Sequence, residues 1–499
     1  MTKEVGGSIG QTQCSLTIGA LHGHDDVSKR ILRTFRRRPL HIEVEIHAMC
    51  PTSLTMLRTQ WNDFFRCTNL QLFREDEDGS IFIDKSLLPK QLLNSCANIS
   101  VEPNTTDQHD SQGLENFDSS RLIPVVHTFI LSSEEAGTEE LDPCSTGSGG
   151  DDEWTAACDV LELPHGSLQG LWGSLIFDET LKTTLLDYAQ SALLFSDKAV
   201  SSHVVTWNRM VLLYGPAGTG KTSLCRALAH KLAVRLGNRF PNGTTLLEVH
   251  SHSLFSKWFS TSGKLVSALF QLVRDMVQDE PQSLVCVLID EVESLAMTRG
   301  GNSSSGDPSD AMRAVNSLLT SLDRLKSFPN VLVLATTNLT DSVDAAFIDR
   351  VDLKLQVGMP ILEARYEILR SCLIELQRVG IIHATVNESN NQKMTSDAPL
   401  SPIVARFTTA RSLLRQGAED IDSSSSLNDN NWYFWATRRL MDCSQLAEGL
   451  SGRSLRRLPL QAHAQFLNGL DCVPVIEFLD ALYCAIQSEL DSRASMAKG

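Results

Sequence analysis

Several absences narrow the field before any motif is considered. The twelve cysteines include no C-x-x-C pair and follow no regular spacing. A disulfide scaffold and a zinc ribbon are therefore not expected, and the thiols read as reduced and buried. Cys286 lies in a strand-like run, and Cys372 and Cys484 in helix-like ones. No apolar run approaches the ~20 residues of a membrane span. The start, MTKEVGGSIGQTQ, lacks the charged-then-apolar pattern of a secretory signal. A soluble intracellular protein is expected, with no membrane partner. Positive charge is also short: 44 Lys and Arg against 60 Asp and Glu leave a net charge of −16. A duplex binder shows a basic footprint, so direct nucleic-acid binding is not expected. The one local exception is KRILRTFRRRPL (29–40), with six basic residues. It reads as a solvated face, or as a docking patch for an acidic partner or nucleic acid.

What is present is ordinary globular sequence, 42% hydrophobic and 21% charged over 499 residues. At roughly 150 residues per domain, that length allows two to four domains. Residues 1–131 read as one mixed α+β unit. In it HIEVEI (41–46) alternates apolar and acidic residues as a half-buried strand does. IFIDKSLLP (81–89) and RLIPVVHTFIL (121–131) supply more strand material. Residues 132–162 read as a flexible linker, because SSEEAGTEELDPCSTGSGGDDE is acidic, small and Gly/Ser-rich. From 163 to 360, continuous apolar runs alternate with helical patterns. That is the signature of a parallel sheet covered on both faces, an α/β architecture. Residues 361–499 are mainly helical, with a polar insertion at about 381–435.

The chemistry begins at YGPAGTGKTS, where G-x-x-x-x-G-K-[ST] joins a strand to a helix. Gly215, Pro216, Ala217, Gly218, Thr219 and Gly220 form a loop whose main-chain N–H groups can turn toward phosphate oxygens. Lys221 supplies a full positive charge to the β- and γ-phosphates, Thr222 a hydroxyl for Mg²⁺, and Ser223 opens the helix behind them. ATP and Mg²⁺ are the expected cofactors. VCVLIDE places Asp290 at the end of an apolar strand, to hold Mg²⁺ directly or through water. Glu291 follows as the group that polarises the attacking water. A third strand ends at Asn338, whose amide can reach the γ-phosphate or that water, or can simply form a turn. Arg350 can stabilise charge developing in phosphoryl transfer, from a neighbouring subunit, or serve as a structural ion-pair partner. Arg453, behind Gly452, opens a helix of the helical region and can swing onto the nucleotide.

Phosphate loop, D-E pair, strand-end Asn, arginine and G-R, followed by a helical lid, resemble the AAA+ ATPases. Longer stretches are similar to the pachytene checkpoint protein family, also called thyroid receptor-interacting protein 13. They include LLFSDK, SHSLFSKWFSTSGKLV, VLIDEVESL, PSDAMRAVNSLLTSLD, AFIDRVD and EGLSGRSLRRLP. The resemblance covers roughly residues 163–380 and 440–490. It implies a homo-hexameric ring that uses ATP to convert HORMA-domain proteins from closed to open. These clients belong to the spindle checkpoint and the meiotic chromosome axis. They would be engaged through the N-terminal domain, often with an adaptor, and pulled by a terminal segment through a central pore. It implies nuclear and cytoplasmic locations. By motif, Trp258 and Phe259 match the aromatic pore loop, Arg350 the arginine finger and Arg453 the second nucleotide sensor. Without the resemblance, Trp258 would read as a core residue. GGNSSSGDPS (300–309) falls where the family has a second pore-facing loop, and Ala217 stands where the family usually has proline.

Two other readings compete. One is a nucleotide-bound scaffold without turnover, against which the intact Glu291 and Arg350 speak. The other is a DNA-associated motor, against which net charge and the aromatic KWF loop speak.

Overall fold

The structure is a computed structural model that describes residues 38–67, 73–75, 81–83, 85–103, 122–141, 155–249, 262–293, 308–339, 343–383, 403–420 and 432–496. The expected pore loop (Trp258, Phe259) and residues 29–37 of the basic stretch lie outside the described residues. So do residues 300–307 of the second loop.

The central sheet is built from the apolar runs. Strands β8 (Met210–Tyr214), β9 (Thr244–Val249), β10 (Leu284–Ile289), β11 (Val331–Thr337) and β12 (Leu353–Gln356) run parallel in the order β12-β8-β11-β10-β9. Alternate residues serve opposite faces. Met210, Leu212, Val285, Val287, Val331 and Val333 pack beneath helices α6 (Ser262–Asp279) and α7 (Pro308–Leu325). Val211, Leu213, Cys286, Leu288, Leu332 and Leu334 pack beneath α4 (Glu179–Asp197) and α5 (Lys221–Arg235). Burial on both faces explains why these strands read as unbroken apolar runs rather than alternating ones.

The expected linker is corrected by the structure. Strand β7 (Thr155–Leu163) pairs antiparallel with β9, and β6 (Gly137–Leu141) pairs antiparallel with β7, extending the sheet to seven strands. Without β7 the edge of β9 would expose a row of unpaired peptide groups. Cys158 and Leu163 are buried in the process. Composition between 132 and 153 concealed β6, because an acidic surface strand resembles a linker, whereas β7 begins just after that stretch, at Thr155. Residues 142–154 lie outside the described residues.

The N-terminal unit has a three-stranded sheet, β4 (Cys96–Pro103), β1 (Arg38–Ile46) and β5 (Leu122–Phe129), with β1 central. Ile42, Val44 and Ile46 of β1 pack against Leu57, Trp61 and Phe65 of helix α1 (Leu54–Cys67), which recur every four residues on one helix face. The other face of β1 is acidic but not solvated. Glu43 is buried against α5, where Lys231 Nζ lies 2.6 Å from both Glu43 and Glu102. Arg235 reaches the same two carboxylates at 3.5 and 2.9 Å. Burial alone would raise the Glu102 carboxyl, but Lys231 and Arg235 outweigh it and hold it below its ordinary range.

The helical region packs α9 (Leu362–Arg378), α11 (Trp432–Leu446), α12 (Gly452–Phe466) and α13 (Val475–Met496) around one core. Part of the expected polar insertion belongs to this core. Ile403, Val404 and Ala405 are fully buried, and helix α10 (Phe407–Asp420) places Phe407 against Tyr366 at 5.6 Å. This short apolar island was hidden among polar neighbours. Among the described residues, no helix is long and apolar enough to cross a membrane.

Removing one cation from the buried network leaves carboxylates short of partners. Lys231→Ala is expected to cost about 3 kcal/mol, read as a lower urea midpoint and earlier release of the N-terminal unit to protease. Arg378→Ala removes an exposed pair with Glu375 and should leave both readouts unchanged.

Candidate active site

The carboxyl ends of three adjacent parallel strands converge on one crevice. Gly215 follows β8, Asn338 follows β11 and Asp290 follows β10. The strand ladder sets their spacing: Gly215 N donates to Thr337 O at 3.3 Å, and Val292 N to Thr336 O at 2.9 Å. Such a crevice outside the strand ends is where open α/β sheets bind ligands.

Glycine is required in the loop. Gly215 has φ +144°, and a Cβ there would collide with the carbonyl oxygen of Val357. Gly220 caps the helix at φ +97°. Helix α5 begins at Lys221, two residues earlier than the sequence suggested. The N–H groups of Lys221, Thr222 and Ser223 thus form its first turn, with no intrahelical acceptor and with the positive end of the helix dipole behind them. Pro216 and Ala217 are exposed at the crest of the loop, and Thr219 Oγ1 donates to Pro216 O at 3.0 Å.

Lys221 is buried, and its ammonium donates to three acceptors: Gly215 O and Pro216 O at 2.8 Å each and Asn338 Oδ1 at 2.7 Å. Burial lowers its pKa, opposed by the carboxylates of Glu293, Asp290 and Glu291 and aided by Arg453. Thr222 Oγ1 donates to Asp290, 2.8 and 3.1 Å from its two oxygens. Thr336 Oγ1 also donates to Asp290 and accepts from Glu291 N at 3.2 Å. Glu291 sits at φ +54°, a left-handed conformation rare outside glycine, which turns the chain sharply just beyond the strand.

The helical region closes over the loop. Arg453 N donates to Gly218 O at 3.0 Å, and Ser451 caps α12 by accepting from Ser454 N at 3.3 Å. Gly218, at φ +77°, admits this approach, since a side chain there would meet Ser451 Oγ. Beside the loop is a cavity of about 310 Å³, lined by Phe177, Asp178, Thr219, Met359, Ile361 and Gly452 among others. A volume near 300 Å³ with a mainly apolar wall suits the base of a nucleotide. Motif reasoning missed Ile176, Phe177, Met359 and Ile361. Their only signal was the apolar pair Ile176-Phe177 immediately before a helix start.

Arg350 is not part of this crevice. Asn208 Nδ2 donates to Arg350 O at 2.7 Å, and the Asp352 carboxylate accepts from Asn208 N and Met210 N at 2.7 and 3.3 Å. Arg350 therefore sits where β8 begins, about 15 Å of strand from the phosphate loop at its far end. Its guanidinium makes a two-pronged pair with Asp323 at 3.0 and 2.8 Å, which raises the arginine and lowers the aspartate. Leu194, Phe195, Val204 and Val205 are exposed near this end of the sheet, with Phe195 against Trp207.

A phosphate loop at the switch point of a five-stranded parallel sheet, under a helical lid, defines an AAA+ ATPase. Family models agree: the AAA ATPase family associated with various cellular activities matches residues 211–359, and the TRIP13-like AAA+ ATPase lid C-terminal domain matches 361–490. The chain is 46% identical over 370 residues to a pachytene checkpoint protein 2 homolog of Oryza sativa subsp. indica, covering 74% of this chain and 72% of the relative. It is 39% identical over 407 residues to the homolog of Homo sapiens, covering 81% and 84%. The solved structure of C. elegans PCH-2 is similar with TM-score 0.64 at 27% identity, over 91% of this chain and all of that one. The chain belongs to the pachytene checkpoint protein 2 family, and it is a nucleotide-binding ATPase.

Gly215→Ala is expected to abolish tight ATP binding, because the loop must move to relieve the collision with Val357. Titration with a fluorescent ATP analogue checks this, with circular dichroism to confirm that the sheet is retained.

Proposed function

We infer that the protein is a hexameric ring that spends ATP on opening HORMA-domain proteins of the spindle checkpoint and the meiotic chromosome axis. Family membership supports the client class, and the crevice supports the engine. One observation carries the ring. The crevice holds phosphate-facing groups on one edge of the sheet, while Arg350 occupies the opposite edge amid exposed apolar residues. An arginine so placed serves a neighbour's nucleotide, and a second copy of the chain would cover Leu194, Phe195, Val204 and Val205.

The roles follow from chemistry. The loop from Gly215 to Ser223 cradles the phosphates, and Lys221 turns from its three protein acceptors onto the β- and γ-oxygens. Thr222 and Asp290 form an oxygen donor set that fits Mg²⁺, with a hydroxyl and a carboxylate already adjacent. When bound, the ion would neutralise phosphate charge. Glu291 polarises the attacking water, and Asn338 acts beside it. Arg350 of the adjoining subunit leaves Asp323 to meet the developing charge. Arg453, hydrogen-bonded through its main chain to the phosphate loop, reports nucleotide state to the lid. Trp258 and Phe259 grip the client as extended chain, and the N-terminal domain engages the folded client, with an adaptor where one is needed. Action in the nucleus and cytoplasm is part of the same reading.

Glu291→Gln is expected to retain ATP binding and lower kcat by about 10²–10⁴. An unchanged kcat would remove Glu291 from this role. Arg350→Ala should be inactive alone but regain turnover when mixed with Glu291→Gln subunits, since mixed interfaces pair an intact Glu291 with an intact Arg350. Absence of that complementation would count against the shared site. An aromatic anchor is worth ~2 kcal/mol, so Trp258→Ala should cut client conversion per ATP by at least about tenfold, measured with a conformer-sensitive assay on a closed HORMA protein.

A further inference from the structure

The acid two residues beyond the D-E pair has a task that no motif assigned. Glu293 is buried, and its Oε1 accepts from both Asn338 N at 3.0 Å and Asn338 Nδ2 at 2.8 Å. Its other oxygen, Oε2, is buried with no hydrogen-bond partner among the described residues. Across the same amide, Asn338 Oδ1 accepts from Lys221 Nζ at 2.7 Å.

An asparagine amide can turn over and exchange its two ends. Here its neighbours forbid the exchange. An ammonium only donates and an ionised carboxylate only accepts. A flipped amide would set NH₂ against NH₃⁺ and oxygen against carboxylate, losing two charge-assisted bonds at once. The carboxylate is the essential half of this clamp, because Lys221 must leave for the phosphates when ATP enters. Glu293 alone then holds the amide, with Oδ1 presented to the space Lys221 vacates.

We propose that Glu293 is a positioning residue: it keeps the Asn338 oxygen facing the phosphate pocket, so that Asn338 orients the attacking water by accepting a hydrogen bond from it rather than by donating one to the γ-phosphate. An amide oxygen facing phosphate oxygens would be repelled, whereas facing water it shares the direction of attack with Glu291. The proposal rests on Asn338 acting in hydrolysis, and it settles which end of the amide acts.

The test exchanges the acid and amide between the two positions, using the full chain. Glu293→Met removes the acceptor and should lower kcat by about a hundredfold, with KM for ATP changed far less. Asn338→Asp sets two carboxylates together and should be at least as impaired. The double variant Glu293→Gln with Asn338→Asp restores one side-chain donor facing one side-chain acceptor and again presents an oxygen to the pocket, with only the main-chain N–H of position 338 losing its acceptor. It should recover kcat at least about tenfold over Asn338→Asp, each protein being checked for fold by binding of a fluorescent ATP analogue. A double variant no faster than Asn338→Asp overturns the proposal, because a residue that must donate to phosphate cannot be rescued as an aspartate. Wild-type kcat in Glu293→Met overturns it as well. Asn338→Ala separates the two layers. Full activity there removes Asn338 from hydrolysis altogether, whereas a loss there beside an active Glu293→Met leaves Asn338 in place and removes only Glu293.

Discussion

Burying one ammonium group organises the site. Lys221 is 5% exposed, and a buried lysine pays in desolvation unless its charge is met. It is met by three oxygens from two places: two consecutive loop carbonyls after β8 and an amide after β11. Carboxylates after β10 complete the balance. Those groups come together because three parallel strands end side by side. The strand order β8-β11-β10 is therefore a condition for the chemistry, and the glycines are a condition for the loop that bends around the lysine.

The helix that carries Lys221 at its start carries Lys231 and Arg235 at its end. Ten residues separate the two lysines, about 15 Å of helix. One end faces the phosphates, and the other is locked into the acidic face of the N-terminal sheet. The nucleotide crevice and the N-terminal unit thus share a single rigid element. Over the loop, the start of α12 contacts Gly218 directly, so the lid is mechanically joined to the same site. Each of these junctions is polar or charged and held at short range, which gives the units definite positions.

The central sheet was legible because strands buried on both faces announce themselves as apolar runs. MVLLY, TLLEV, LVCVLI and VLVLATT all became strands. The loop residues, Asp290 and Asn338 were legible because each ends such a run. The strands β6 and β7 were not. β6 lies in acidic, small-residue sequence, and β7 follows it with its apolar residues Val160, Leu161 and Leu163 spread over both faces of the sheet; the open edge of β9 pairs with β7. HIEVEI alternates as a half-buried strand does, yet Glu43 on its polar face is buried against α5, since a strand pattern says which residues share a face but not what covers it. Ile403 to Ala405 were masked by the polar sequence around them.

The sequence by itself determined the periodicities, the phosphate loop and the order of acid, amide and arginine after it, because these depend on local spacing and on side-chain chemistry. Only the tertiary structure decided which of those groups meet. It joined Thr222 to Asp290 across 68 positions and Lys221 to Asn338 across 117. It set Arg350 at the far end of β8, and it bound Glu293 to the amide of Asn338. Contacts between residues so distant along the chain are set by strand order and by the direction in which each strand ends, and neither quantity is written in any short stretch of residues.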